Sequence, residues 1–435
     1  MTATTCDAIV IGAGVIGCSV AYALAADGLR VHVVDRGPTA GHGSTSASSA
    51  VVRFNYSTWA GVASAWESRH VWERWEEHLG GSDKAGLARF VRTGGLTLDS
   101  PGQDGGRVRA LFDRADVPYE EWDSKTIRRR MPLLDPGRYY PPKAISDEAF
   151  WADPDGELTG HWSSESGFVD DPALAARNLM TAARRHRALF DFRTAVTHVR
   201  RRSDRVRGVN LSDGRRIDAP LVVNVAGPHS AVVNALAGVG DDFAVRTRPL
   251  RQEVHEVRAP QRYHSYGVGP LVADPDLGVY FRGTPSGGLL IGGTEPDCDP
   301  LQWLDDPDAY APLPSREIYE AQLYRAARRV SELKVPARPC GIVGVYDVSD
   351  DWVPIYDRTE LDGFYVAIGT SGNQFKNAPL VGRYVAAIVA ACENGRDHDI
   401  DPVRLTLPYT GHEVDLSHYS RKRRVNRDSS FTVMG

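Results

Sequence analysis

Three glycines near the amino end constrain this chain more than any other feature. Gly12, Gly14 and Gly17 spell G-x-G-x-x-G between a β-branched run at residues 6–12 and a stretch of helical composition, Val15–Ala26. In that setting Gly12 makes the tight turn, Gly14 lets the backbone approach a pyrophosphate, and Gly17 lets the helix pack on the sheet. The helix start, with the amides of Val15 and Ile16, offers N–H groups and a positive dipole to phosphates. A second run, residues 30–34, ends at Asp35. A carboxylate there accepts both ribose hydroxyls and disfavours a 2′-phosphate. The spacing predicts a βαβ dinucleotide-binding start.

At 435 residues the chain exceeds what one hydrophobic core fills, so two domains are expected. The same buried-strand-then-helix texture returns near residues 163–238 and 340–411, interrupted by proline-rich and strand-rich segments. The expected fold class is therefore α/β plus α+β. A Rossmann-type cofactor domain is built from 1–93, 163–238 and 340–411, and an antiparallel-sheet substrate domain from 94–162 and 239–339. Residues 412–435 form a polar, basic tail that keeps Phe431, Val433 and Met434; whether it packs on the core or on a second subunit is left open. A helix over 60–79 carries Trp66, Trp72 and Trp75, expected to be packing residues.

The formal net charge of −5 argues against nucleic acid or an anionic membrane as the main partner. The short basic runs at 128–130, 200–202 and 421–424 are read as solvated faces. No uninterrupted apolar run is long enough to span a bilayer, and no secretory leader pattern stands at the start, so a cytoplasmic location is expected. Five scattered cysteines without ligand spacing fit reduced thiols, with no metal site.

FAD and NAD share the glycine fingerprint. Residues 41–49, GHGSTSASS, form a loop of small residues that either drapes along a ribityl–pyrophosphate chain or lies free on the surface. Composition alone leaves both choices open.

Four segments settle the expectation by resemblance: AIVIGAGVIGCSVAYALAADGLRVHVVDR, GSTSASSAVVRF, VVNVAGPHS and GFYVAIGTSGNQFKNAPLVGRYVAAI. Together they resemble the D-amino-acid-oxidase-like FAD-dependent oxidoreductases, in the branch of glycine and sarcosine oxidases. The last, with its G-x-S-G-x-x-F-K pattern, is the most specific. The resemblance implies FAD, with Asp35 and Arg36 at the adenosine and Val196 meeting adenine through its backbone. Gly43, Ser44, Thr45, Ser49 and Ala50 would line the pyrophosphate-to-ribityl path, beside the turn at Ala226 and Gly227. Gly372, Asn373, Phe375 and Lys376 would sit at the pyrimidine end of the flavin. There a cation and a helix start stabilise the negative charge of reduction.

The same resemblance implies an amine or amino-acid substrate whose carboxylate is gripped by Arg53 and Lys376, with Tyr346 facing its amine. His255 is a candidate proton acceptor on the substrate domain. The family's covalent attachment points are replaced here by Gly344 and Ala47, which implies non-covalent FAD. The segment 251–263 contains no lysine of the kind that activates oxygen in relatives. O2 is the expected electron acceptor, with an acceptor protein or quinone as the alternative, in a monomer or homodimer. Tyr263, Tyr266, Tyr280 and Phe281 hint at a substrate larger than glycine.

Overall fold

The computed structural model describes residues 4–103, 105–264 and 267–435; Tyr266 lies outside the described residues. Ala8–Ile11, Val31–Val34 and Leu221–Asn224 are buried along their whole length, apolar but for His32 and Asn224, as strands covered on both faces are. They form the middle of a six-stranded sheet ordered Leu189–Asp191, Val31–Val34, Ala8–Ile11, Leu221–Asn224, Phe364–Ile368, Ile355–Arg358. All neighbours run parallel except the last pair. This is the doubly wound arrangement that the glycine motif requires.

The helix Val15–Ala26 lies between Pro172–Arg185 and Ala378–Glu393. It is buried nearly all round, which its run of Val, Ile, Ala and Cys permits. Gly382 makes the approach to the third helix close: a Cβ there would stand 2.3 Å from the Ser19 carbonyl oxygen. Pro172–Arg185 starts cleanly because the Asp171 side chain accepts the Leu174 N–H and Pro172 occupies the first turn.

The second large sheet is ordered Gln302–Trp303, Thr247–Arg258, Gly288–Gly293, Val279–Gly283, Leu271–Asp274, Gly95–Leu98, Gly160–Ser163, Glu120–Trp122. It is antiparallel but for one parallel pairing, Leu271–Asp274 with Gly95–Leu98. Gly341–Ser349 also joins it, antiparallel to Thr247–Arg258. Helix Arg316–Arg329 covers one face, around Tyr319, Leu323 and Ala326. Arg329 is fully buried there against Asp274 and Asp276, a paired charge that fixes the helix on the sheet.

The carboxy-terminal tail packs on the core. The basic run 421–424, expected on a solvated face, is instead partly internal. Arg421 is 1% exposed and binds Asp242, Asp357 and Asp399. Arg423 pairs with the buried Asp351. The carboxylates that make these arginines internal lie far away in sequence, so the local run gave no sign of them. Among the described residues no helix is long and apolar enough to cross a membrane.

Candidate active site

The carboxyl ends of the central parallel strands open into a cleft of about 630 Å³, the position in which such sheets bind ligands. Gly12 has φ +111°, and a Cβ on it would stand 2.3 Å from the Val225 carbonyl oxygen. A Cβ on Gly17 would stand 2.0 Å from the Gly12 oxygen. Only glycine fits at either position. Gly14 is the N-cap and has no side chain to cover the helix start, which faces the cleft. Asp35 is held at the cleft edge by the N–H groups of Ala13 and Gly37, each 2.6 Å from a carboxylate oxygen. Its remaining lone pairs are free for ribose hydroxyls.

The loop 41–49 is docked along the cleft. Thr45 Oγ1 accepts the Val15 N–H at 3.0 Å, Ser44 Oγ donates to the Val345 carbonyl at 2.6 Å, and Ser49 and Tyr280 share a hydrogen bond at 2.7 Å. Gly43, Ala50, Val196, Ala226 and Gly227 line the same cavity. Arg36 lines it too, but its guanidinium makes an ion pair with Asp308, which His229 also contacts at 3.1 Å. That pair holds the Asp308 carboxyl down at about 2, the Arg36 hydrogen bonds being the main cause. Asp308, Pro307 and Tyr310 thus form a lip at the adenosine end.

At the other end, Gly372 has φ +69°, and a Cβ on it would stand 2.3 Å from the Tyr346 ring. The segment carrying Asn373, Phe375 and Lys376 is held by the tryptophan helix. Phe375 stacks on Trp72 at 5.6 Å, and the Trp72 indole N–H donates to the Lys376 carbonyl at 2.7 Å. The Lys376 ammonium is buried, donating to Tyr56 Oη at 2.8 Å and to the Asn373 carbonyl at 2.6 Å. Burial, with Arg53 adding repulsion, lowers its pKa well below the usual lysine range.

Arg53, 6% exposed, donates to the Val433 carbonyl at 2.6 Å and to the Asn55 carbonyl. Desolvation lowers its pKa as well. Among the described residues neither cation stands in an ion pair. Two buried cations without a paired carboxylate, at the end of a cleft, make a site for an anion. Tyr346 borders them; burial first, then Tyr280 and Glu295, raise its hydroxyl pKa well above the usual range and keep it a neutral donor.

The cleft therefore gathers Arg53, Lys376, Tyr346 and every expected cofactor residue. His255 is not among them. It is fully buried on the strand Thr247–Arg258, edge-on to Tyr319 of the covering helix at 5.1 Å. Strand alternation puts it on the helix face with Glu253, and burial lowers its pKa. Sequence reasoning missed Tyr56, Asp308 and Glu295. It also missed that Val433 and Met434 reach the cavity wall, although two apolar residues in a polar tail were a signal that the tail packs. Gly344 and Ala47 lie side by side in the wall: a Cβ at 344 would stand 3.0 Å from the Ala47 Cβ.

A family model described as FAD dependent oxidoreductase matches residues 7–388. The chain belongs to that family. FAD is its cofactor, and the residues fit it: the glycine turn no side chain could replace, the Asp35 carboxylate, the docked loop and the buried cation. The FAD-dependent oxidoreductase is 25% identical over 429 residues to FAD-dependent oxidoreductase domain-containing protein 1 of Xenopus laevis, covering 88% of this chain and 79% of that protein. It is 26% identical over 412 residues to monomeric sarcosine oxidase of Streptomyces avermitilis, covering 88% and 93%. Its fold is that of L-proline dehydrogenase from P. horikoshii, with a TM-score of 0.74, 22% identity, and coverage of 97% and 98%.

Proposed function

We propose that this FAD-dependent oxidoreductase oxidises the C–N bond of a carboxylate-bearing amine, an amino acid or an N-substituted glycine, to the imine: hydride leaves the carbon attached to nitrogen and the nitrogen gives up a proton. The observation that carries this reading is the pairing of Arg53 and Lys376, two buried cations beside Tyr346 at the end of the cofactor cleft. A carboxylate bound there has its α-carbon fixed, which lowers the barrier by proximity. Arg53 offers a bidentate fork and Lys376 a point charge. Tyr346 donates from a neutral hydroxyl and so orients the amine without charging it. FAD supplies the hydride acceptor; the side chains supply placement and exclusion of water. The relatives named for sarcosine and proline support this substrate class.

FAD is held here without a covalent bond, because Gly344 and Ala47 stand at the two positions where relatives carry the attaching side chain. Acid precipitation should leave a colourless pellet and a yellow supernatant; colour retained in the washed pellet would contradict this. O2 receives the electrons. A second reading, transfer to an acceptor protein or quinone, is favoured by one observation: among the described residues lining the cavity, Lys376 is the only lysine. Adding sarcosine, glycine, L-proline and larger amino acids to the yellow protein without air decides the class. One of them should bleach the visible flavin band. Prompt return of colour in air supports O2, and slow return supports the second reading. A band that none of them bleaches would sink the proposed function.

A further inference from the structure

The tail residue Val433 lies between a guanidinium and a carboxyl group, Glu295, whose pKa burial raises to about 8. The Val433 carbonyl accepts from Arg53 Nη2 at 2.6 Å, and its N–H donates to Glu295 Oε2 at 2.8 Å. Glu295 stands just beyond the strand Gly288–Gly293 in a left-handed conformation, φ +50°, and its other oxygen accepts from Gln252 at 3.0 Å. A positive φ at a non-glycine residue is an uncommon conformation, and such positions concentrate at ligand sites. Arg53 and Glu295 sense each other electrostatically, yet they make no ion pair; one residue's backbone spans the gap.

The spanning atoms are chemically specific. In any residue the amide nitrogen and carbonyl oxygen are joined through N, Cα, C and O. A free α-amino acid joins its amine nitrogen to a carboxylate oxygen through the same atoms. A gap filled by the N–H and C=O of one residue is therefore the right length for an amino acid. Its poles are also right: a guanidinium for the carboxylate and, for the amine, a carboxyl oxygen that already accepts an N–H. Val433 is buried against Leu250, Val348 and Trp352, and Met434 next to it lines the cofactor cleft, so the gap opens on the site of chemistry.

We propose that Arg53 and Glu295 are the two poles of the substrate site, Glu295 accepting the N–H of the substrate's amine, and that residues 431–434 occupy the site until an amino acid displaces them. This rests on the proposed function and adds to it the residue that selects an amine over any other carboxylate. It also gives the tail a role: a self-ligand that keeps water and non-substrate acids out of the cleft.

The test compares amino acids with matched acids lacking nitrogen: sarcosine with butyrate, and L-proline with cyclopentanecarboxylate. Affinities are read by calorimetry on the holoenzyme reduced beforehand with dithionite, so that no turnover follows. Each amino acid should bind about tenfold or more tighter than its partner acid, and Glu295→Gln should remove that advantage while leaving the partner acids within about twofold. Backbone amides of 431–434 should exchange faster when the amino acid is bound. A chain lacking residues 429–435 should bind amino acids more tightly, since its competitor is gone.

Equal affinity of amino acid and partner acid in the unaltered protein would overturn the proposal. So would an unchanged preference in Glu295→Gln, undiminished protection of 431–434, or no gain on truncation. None of these readings depends on bleaching, so failure of the two-pole site and failure of the oxidative reading are distinguishable.

Discussion

Gly12→Ala should give a colourless protein that melts well below the parent. Two costs fall on the new methyl group. It must adopt φ near +111°, a region that side chains rarely tolerate, and it must stand 2.3 Å from the carbonyl oxygen of Val225, just past the neighbouring strand. Each costs about 1–3 kcal/mol. The obstacle is backbone on both sides, so relief comes only by parting the glycine turn from the strand Leu221–Asn224. That motion deforms the phosphate cradle and the sheet together, and the melting temperature should fall by roughly 5–10 °C. Gly14→Ala is the control. Its Cβ would meet only Thr45 Oγ1, at 3.3 Å, so the fold should keep its melting temperature without cofactor while FAD affinity falls about tenfold or more. Thermal unfolding and FAD titration of the two variants check both statements. Retained colour and stability in Gly12→Ala would show that the turn does not carry the cofactor.

Arg53→Ala should lower kcat/KM for amino acids by roughly a hundredfold or more, while the corresponding carboxamides react as before. Removing one partner of a desolvated charge pair costs about 2–5 kcal/mol, and among the described residues lining the cleft the only other arginine is Arg36, paired with Asp308. The comparison with the carboxamide is needed because Arg53 also holds the Asn55 and Val433 carbonyls. Loss of those bonds loosens the site for every substrate, whereas loss of the carboxylate contact penalises acids alone. Arg53→Lys keeps the charge without the fork and should fall between the two. Equal losses for acid and carboxamide would reduce Arg53 to a scaffold residue.

The sequence announces the parts of this site that are locally encoded. Gly12, Gly14, Gly17 and Asp35 follow from strand and helix spacing, and the cleft collects them as that spacing requires. The loop 41–49 and the segment 372–376 were readable only through their resemblance to a family. Small residues leave their course undetermined, and it is fixed by long-range bonds such as Ser44 to Val345 and Trp72 to Lys376. His255 shows the converse. A histidine on a predicted strand suggests chemistry, but strand register decides its face, and here it turns to Tyr319. Arg36, expected at the adenosine by resemblance, does line the cleft, but its partner Asp308 stands 272 positions away and no local pattern announced it. Glu295 and Val433 meet across 138 positions with no motif at either end. Such pairings depend on how the second sheet sits over the first, which no local pattern encodes.

The C–H bond that is broken lies on the carbon next to nitrogen, in a molecule anchored by its carboxylate. The most direct measurement is rapid anaerobic mixing of the yellow enzyme with an amino acid that bleaches it, beside the 2-hydroxy acid and the carboxamide of the same skeleton. The amino acid should bleach the flavin band quickly, the carboxamide far more slowly, and the hydroxy acid not at all. Bleaching by the hydroxy acid at a similar rate would show that the site oxidises a C–O bond equally well, and would contradict the account.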